Sequence, residues 1–123
     1  MKRILVVEDQ EDLRAILRDL LTATGYIVIE AVDGVEGVAK ARDERPDLVL
    51  MDIQLPVLDG YDATRQIKAL PGLGATPIIA VSSFAMKGDE EKARASGCDG
   101  YVTKPYSPIQ LLGIIQVYLG EKR

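Results

Sequence analysis

Five short aliphatic runs recur along the chain, at residues 4–7, 27–32, 48–51, 78–81 and 101–103. They are β-branched and do not alternate apolar with polar, which predicts strands covered on both faces. Between them the apolar spacing changes to that of helices. Leu13, Ile16, Leu17, Leu20 and Leu21 follow a 3.6-residue period, and Gly25 marks the stop. A second helix starts at Asp33, holds Val35, Val38 and Ala39, and ends before Pro46; a third starts at Asp59, buries Ala63, Ile67 and Leu70, and exits at Pro71-Gly72. The fifth opens on Ser107-Pro108-Ile109-Gln110, a capping box with proline at the first helical position, and presents Leu111, Ile114, Ile115, Tyr118 and Leu119. The fourth, 87–96, has only Ala93 and Ala95 as apolar residues and carries Gly88, which predicts a helix with little buried surface and easy local opening. Five strand–helix units in sequence predict a doubly wound parallel sheet with right-handed crossovers.

Composition narrows the chemistry. The 123 residues carry 15 basic and 19 acidic side chains, a net charge of −4 that argues against a nucleic-acid partner. The length fits one domain, spanning 1–123 with no output domain. No histidine is present, which removes Ser-His and Cys-His nucleophile systems and every His metal site; one cysteine, Cys98, removes internal disulfides and is read as a small core hydrophobe. No apolar run approaches the roughly 18 residues of a membrane span, and no signal peptide is discernible, so a cytoplasmic location is the expectation.

In such sheets ligands bind beyond the carboxyl ends of the strands. Those ends carry Glu8-Asp9, Asp52, Ser82-Ser83 and Lys104-Pro105. A single Asp there is often a helix N-cap, and Asp33 and Asp59 are read so. Three carboxylates, a hydroxyl and an ammonium converging from four strand ends are a different matter. Close carboxylates repel unless a cation sits among them, and Mg2+ suits an all-oxygen donor set. A carboxylate so placed can attack phosphorus to give an aspartyl-phosphate, with Lys104 and Ser82 contacting phosphoryl oxygens. Such transfer depends on positioning and charge neutralisation, so the lack of histidine is no obstacle.

At these residues the chain resembles the receiver (CheY-like) domain of two-component response regulators. The resemblance rests on Ile4-Leu5-Val6-Val7-Glu8-Asp9, on 46–56 with Asp59-Gly60, and on Tyr101-Val102-Thr103-Lys104-Pro105. Residues 84–91 with Gly97-Cys98 look most like single-domain receivers of the DivK type and receivers of hybrid kinases. The resemblance implies a flavodoxin-like, five-stranded parallel sheet in the order 2-1-3-4-5 with helices on both faces. It implies that Asp52 accepts the phosphoryl group and that Asp9, Asp52 and the backbone carbonyl of Gln54 hold Mg2+ (or Mn2+), with Glu8 acting through water. It makes Lys104 a phosphoryl contact with a cis bond to Pro105, and Ser82 and Tyr101 the switch pair.

The implied partners are a histidine kinase and/or a histidine phosphotransfer protein upstream. Downstream, a partner protein would read the fourth helix, fifth strand and fifth helix, with Phe84, Met86, Lys87 and Tyr101 on that output face. The chain would be a monomer or a phosphorylation-linked dimer, and not an enzyme beyond its own phosphorylation and dephosphorylation. The principal rival is an interaction adaptor that keeps the fold and signals without phosphate. An aspartate-dependent phosphatase would need a second acid where Gln54 stands. A flavin-binding protein would need a Ser/Thr/Gly-rich loop where residues 8–13 are acidic.

Overall fold

Each of the five aliphatic runs forms a strand in the computed structural model, which describes residues 1–83 and 88–121. The order is β1 (Arg3–Val7), α1 (Glu11–Ala23), β2 (Ile27–Ala31), α2 (Gly34–Glu44), β3 (Leu48–Asp52), α3 (Gly60–Lys68), β4 (Ile78–Ser82), α4 (Asp89–Ala95), β5 (Gly100–Thr103) and α5 (Pro108–Tyr118). The strands lie in the order β2-β1-β3-β4-β5, and every neighbouring pair is parallel. The expected topology is therefore present. Alternate strand residues feed two cores. Ile4, Val6, Leu48, Leu50 and Ile79 pack with α1 and α5 through Leu17, Leu21, Leu111 and Ile115. Leu5, Val7, Val49, Met51 and Ile78 pack with α2, α3 and α4 through Ala41, Ala63, Ile67 and Ala93.

Local chemistry sets the helix ends. The Asp33 and Asp59 carboxylates accept from the backbone N–H groups of Glu36 and Asp62, and the Ser107 hydroxyl accepts from that of Gln110. Helix α1 closes at Gly25 (φ 99°): Gly25 N–H donates to Thr22 and Tyr26 N–H to Leu21, the paired bonds of a Schellman motif. Helix α4 closes in the same way, through Gly97 N–H to Arg94 and Cys98 N–H to Ala93. Its other end is the left-handed Gly88, with no side-chain cap. Ala93 is its one buried residue, and Ala95 is exposed, so the expected small buried surface is seen over 89–95. Cys98 is buried in the core, and burial pushes its thiol pKa up.

Asp99 ties the sheet's other pole together. Its carboxylate accepts from Lys68 Nζ of α3 and from Ile78 N–H, and its carbonyl accepts from Arg94 of α4 and Tyr118 of α5. That bond accounts for Tyr118, whose side chain serves as a donor at the surface rather than as part of the buried stripe.

Two helix faces differ from the periodic reading. Ile16 is 58% exposed. It precedes Leu17, so it points about 100° away from the sheet-facing line that Leu17 and Leu21 occupy. In α2 the buried residues are Gly34, Gly37 and Ala41, while Val35 is exposed. Close approach explains this. A Cβ at Gly37 would lie 3.0 Å from a Val7 methyl, and one at Gly34 would lie 2.0 Å from the Leu58 carbonyl oxygen.

The loop between β3 and α3 contains a strained turn. Leu58 N–H donates to Pro56 O at 2.7 Å, which makes a γ-turn with Val57 at its centre (φ 70°). A β-branched residue with positive φ is costly. Val57→Asn is expected to raise the unfolding free energy by about 1 kcal/mol, since Asn tolerates this region and the 82%-exposed valine side chain gives up little packing. Urea unfolding of the two proteins checks it.

Candidate functional site

Parallel pairing fixes which strand ends are neighbours. Val7 pairs with Met51, Asp52 with Val81, and Ser82 with Thr103. The residues that follow or end these strands, Glu8, Asp9, Asp52, Ser82 and Lys104, therefore share one edge of the sheet. Lys104 N–H donates to Ser82 O at 2.8 Å, which carries the β4–β5 ladder up to the lysine, and the Lys104–Pro105 bond is cis as expected.

Lys104 Nζ lies 3.1 Å from Glu8 Oε1 and 3.3 Å from Asp52 Oδ2, bridging the two carboxylates. The second oxygen of each accepts a local backbone N–H: Gln10 N donates to Glu8 Oε2 at 3.1 Å, and Gln54 N to Asp52 Oδ1 at 3.0 Å. Glu8 and Asp52 are buried, whereas Asp9 is exposed. One carboxylate oxygen from each of Glu8, Asp9 and Asp52 lies within 4.8 Å of the others. This all-oxygen donor set, open to solvent through Asp9, fits a hard divalent cation.

The electrostatics agree with a site short of positive charge. Burial pushes the Glu8 pKa above its usual 4.5, and the neighbouring Asp52 carboxyl adds to the rise. Burial opposes the Lys104 ammonium, but Asp52 and Glu8 outweigh it and raise its pKa above 10.5. A raised carboxyl pKa means that the folded state holds the proton longer than the unfolded chain. Glu8 therefore costs stability as pH climbs from about 4.5 through its raised native pKa. In metal-free buffer with chelator, the stability difference between wild type and Glu8→Gln is expected to move against the wild type over that window. Urea midpoints measured as a function of pH check it.

Ser82 is fully buried at the end of β4, Ser83 is exposed, and Tyr101 is half-buried on β5 against the core that α4 covers. Gln54 is exposed, its N–H engaged with Asp52. The output-face residues Phe84, Met86 and Lys87 lie outside the described residues. Beside Lys104 opens an apolar groove of about 430 Å3, lined by Leu13, Ile16, Pro105, Tyr106 and Pro108. Sequence periodicity did not single out this groove, because it assigned Ile16 to the core and gave Tyr106 no role. Ile16 standing four residues after the acidic Asp12, on the same helix face, was the available signal. Burial raises the Tyr106 pKa, with Glu8 and Asp52 adding to the rise and Lys104 opposing it.

Comparison with known proteins decides the family. Residues 4–116 match the model of the response regulator receiver domain. The chain belongs to the response regulator receiver family. This receiver domain is 45% identical over 120 residues to the polar-differentiation response regulator DivK of Brucella anthropi, covering 98% of both chains. The same protein from Brucella melitensis is 44% identical over 120 residues. Among solved structures, the receiver domain of a Pseudomonas aeruginosa sensor histidine kinase superposes with a TM-score of 0.91 at 38% identity, over 98% of both chains. That structure has a magnesium ion coordinated in its active site cleft. The chemotaxis protein CheY4 of Vibrio cholerae gives a TM-score of 0.91 at 29% identity, covering 96% of this chain and 98% of that one. The fold is thus CheY-like, and membership places the receiver domain in two-component signalling. Among the described residues no helix is long and apolar enough to cross a membrane.

Proposed function

We propose that this receiver domain is a phosphorylation-dependent switch in which Asp52 accepts a phosphoryl group from a phosphohistidine of a kinase or phosphotransfer protein. The observation that carries the reading is the convergence of Glu8, Asp9 and Asp52 on one edge of the sheet with Lys104 bridging two of them. Asp52 Oδ2 attacks phosphorus, the P–N bond to the donor imidazole breaks, and the nitrogen keeps the bonding electron pair. Gln54 N–H holds Oδ1 and so orients the carboxylate for attack. Lys104 moves its charge from the Asp52 oxygen to the arriving phosphoryl oxygens. Glu8, Asp9, Asp52 and the Gln54 carbonyl would hold Mg2+, which when bound neutralises charge on the phosphoryl oxygens.

The acyl phosphate then draws the Ser82 hydroxyl toward it, and Tyr101 fills the space that opens. The surface of α4, β5 and α5 is thereby biased toward a form that a downstream protein reads. The small buried surface of α4 suits that role. The rim groove gives the donor protein an apolar seat next to the acceptor. Ile16→Asp is expected to slow phosphorylation by a protein donor by about 10-fold, with its rate from acetyl phosphate unchanged, because a charge in an apolar contact costs a docking partner but not a small molecule. Paired kinetics with both donors check it.

The test of the whole reading is the intact mass of the protein after incubation with acetyl phosphate, with and without Mg2+. A phosphoryl adduct that needs the metal is the expected result. No adduct, together with no Mg2+ binding by titration, would replace this reading with the phosphate-independent adaptor.

A further inference from the structure

One charged side chain beside the acidic cluster touches none of the reacting groups. Arg14, on the second turn of α1, is only 16% exposed. Its Nη1 donates to the backbone carbonyl of Glu8 at 3.1 Å, and its Nε donates to Glu30 Oε1 on β2 at 3.1 Å. Glu30 also lies 3.5 Å from Arg18 Nη1. The carbonyl that Arg14 holds belongs to the peptide joining Glu8 to Asp9. That peptide's orientation sets where the exposed Asp9 carboxylate points relative to buried Glu8 and Asp52.

The rest of the segment is held on both sides of Asp9, with Gln10 O accepting from Arg14 N–H at 2.9 Å. Glu8 N–H donates to Ala31 O at 3.0 Å, and the Glu8 carboxylate is engaged by Gln10 N–H and Lys104. Past the carbonyl, Asp9 stands in solvent at the mouth of the site. Glu30 fixes the plane of the guanidinium, so Arg14 delivers a hydrogen bond of set direction to the carbonyl. A planar fork is required, because one nitrogen must reach the carbonyl while another reaches Glu30.

We infer that Arg14, oriented by Glu30, is a positioning residue that presets the Glu8–Asp9 peptide for divalent-cation binding. The inference rests on the receiver reading above and deepens it. Groups that orient metal ligands carry a large share of a site's affinity, commonly 10-fold or more.

The experiment titrates MgCl2 into the full chain by calorimetry for wild type, Arg14→Ala, Arg14→Lys and Glu30→Gln. It also follows the acetyl-phosphate reaction rate as a function of Mg2+ concentration. Arg14→Ala is expected to weaken Mg2+ binding about 10-fold and to raise the half-saturating Mg2+ by the same factor. Its rate at saturating Mg2+ should stay within about 2-fold of wild type, a split that general loss of stability would not give. Arg14→Lys keeps the charge but not the fork and should behave like Arg14→Ala. Glu30→Gln, which removes the charge that orients Arg14 and that also pairs with Arg18, should shift the same quantities in the same direction by a smaller factor, and it stands in if Arg14→Ala does not fold.

Mg2+ affinity unchanged in folded Arg14→Ala, or unchanged in Glu30→Gln where that variant stands in, would overturn the inference. Full rescue by Arg14→Lys would overturn it too, by showing that charge alone matters. Wild-type protein that binds no Mg2+ would overturn the receiver-switch reading, and this inference with it.

Discussion

Asp52→Asn is expected to reduce phosphoryl incorporation from any donor below detection, a loss of at least about 100-fold, while the protein stays folded. The loss follows from chemistry. An amide oxygen is a poor nucleophile toward phosphorus, and Glu8, the other buried acid of the cluster, follows β1 rather than ending β3 where Asp52 stands. The fold should survive because the amide oxygen can still accept from Gln54 N–H, the bond that Asp52 Oδ1 makes. Removing one of two buried carboxylates also relieves the other. Asp52 is among the causes that raise the Glu8 pKa, so that pKa should fall toward its usual value in the variant. Lys104 keeps its partner Glu8 at 3.1 Å. Intact mass after acetyl phosphate treatment reads the first effect. Thermal unfolding in chelator reads the second, with a midpoint no lower than that of wild type.

Gly60→Ala should do the reverse, injuring the fold and the site together. Gly60 begins α3 and donates its N–H to Ile53 O at 3.0 Å. A Cβ there would lie 2.3 Å from the Asp52 carbonyl oxygen and 2.6 Å from Ile53 Cα, both main-chain atoms. Neither can rotate away as a side chain would, so the end of β3 must shift. We expect a loss of about 3 kcal/mol in unfolding free energy, at the upper end of overpacking costs. Because the displaced strand end is the one that carries Asp52, the folded fraction should also accept phosphate more slowly. Gly34→Ala presses on the same loop from α2 through Leu58 O at 2.0 Å, so the two substitutions together should cost less than their sum. Urea unfolding of the single and double variants measures both points.

These contrasts show what the sequence could reveal. Strands β1, β3 and β4 were legible because each carries a continuous aliphatic run ended by a polar residue, and those polar residues are among the ones that the sheet's edge assembles. Glu8, Asp9, Asp52, Ser82 and Lys104 could thus be read from boundaries alone. The helix caps at Asp33, Asp59 and Ser107 were legible for the same reason, since capping is chemistry among residues three apart in the chain. Contacts that depend on how closely elements approach were not legible. Val35 looked like a core residue because it is apolar, yet α2 lies so near β1 and the Leu58 loop that only Gly34, Gly37 and Ala41 fit underneath. Ile16 fits a helical period but lies off the line through Leu17 and Leu21 that faces the sheet, and is exposed. Arg14 reads as one of several surface charges until β2 brings Glu30 alongside it.

The knot at Asp99 has a mechanical consequence. Helices α3, α4 and α5 are all fastened there by Lys68, Arg94 and Tyr118, at the pole farthest from the acidic cluster. Helix α4 is closed by its Schellman bonds at that same end and has no side-chain cap at the other. The C-terminus of α4 is thus tied both by its own closing bonds and, through Arg94, to the knot. Under the switch proposed above, we expect reshaping of this flank to be smallest at the Asp99 pole, where Lys68, Arg94 and Tyr118 hold the three helices together.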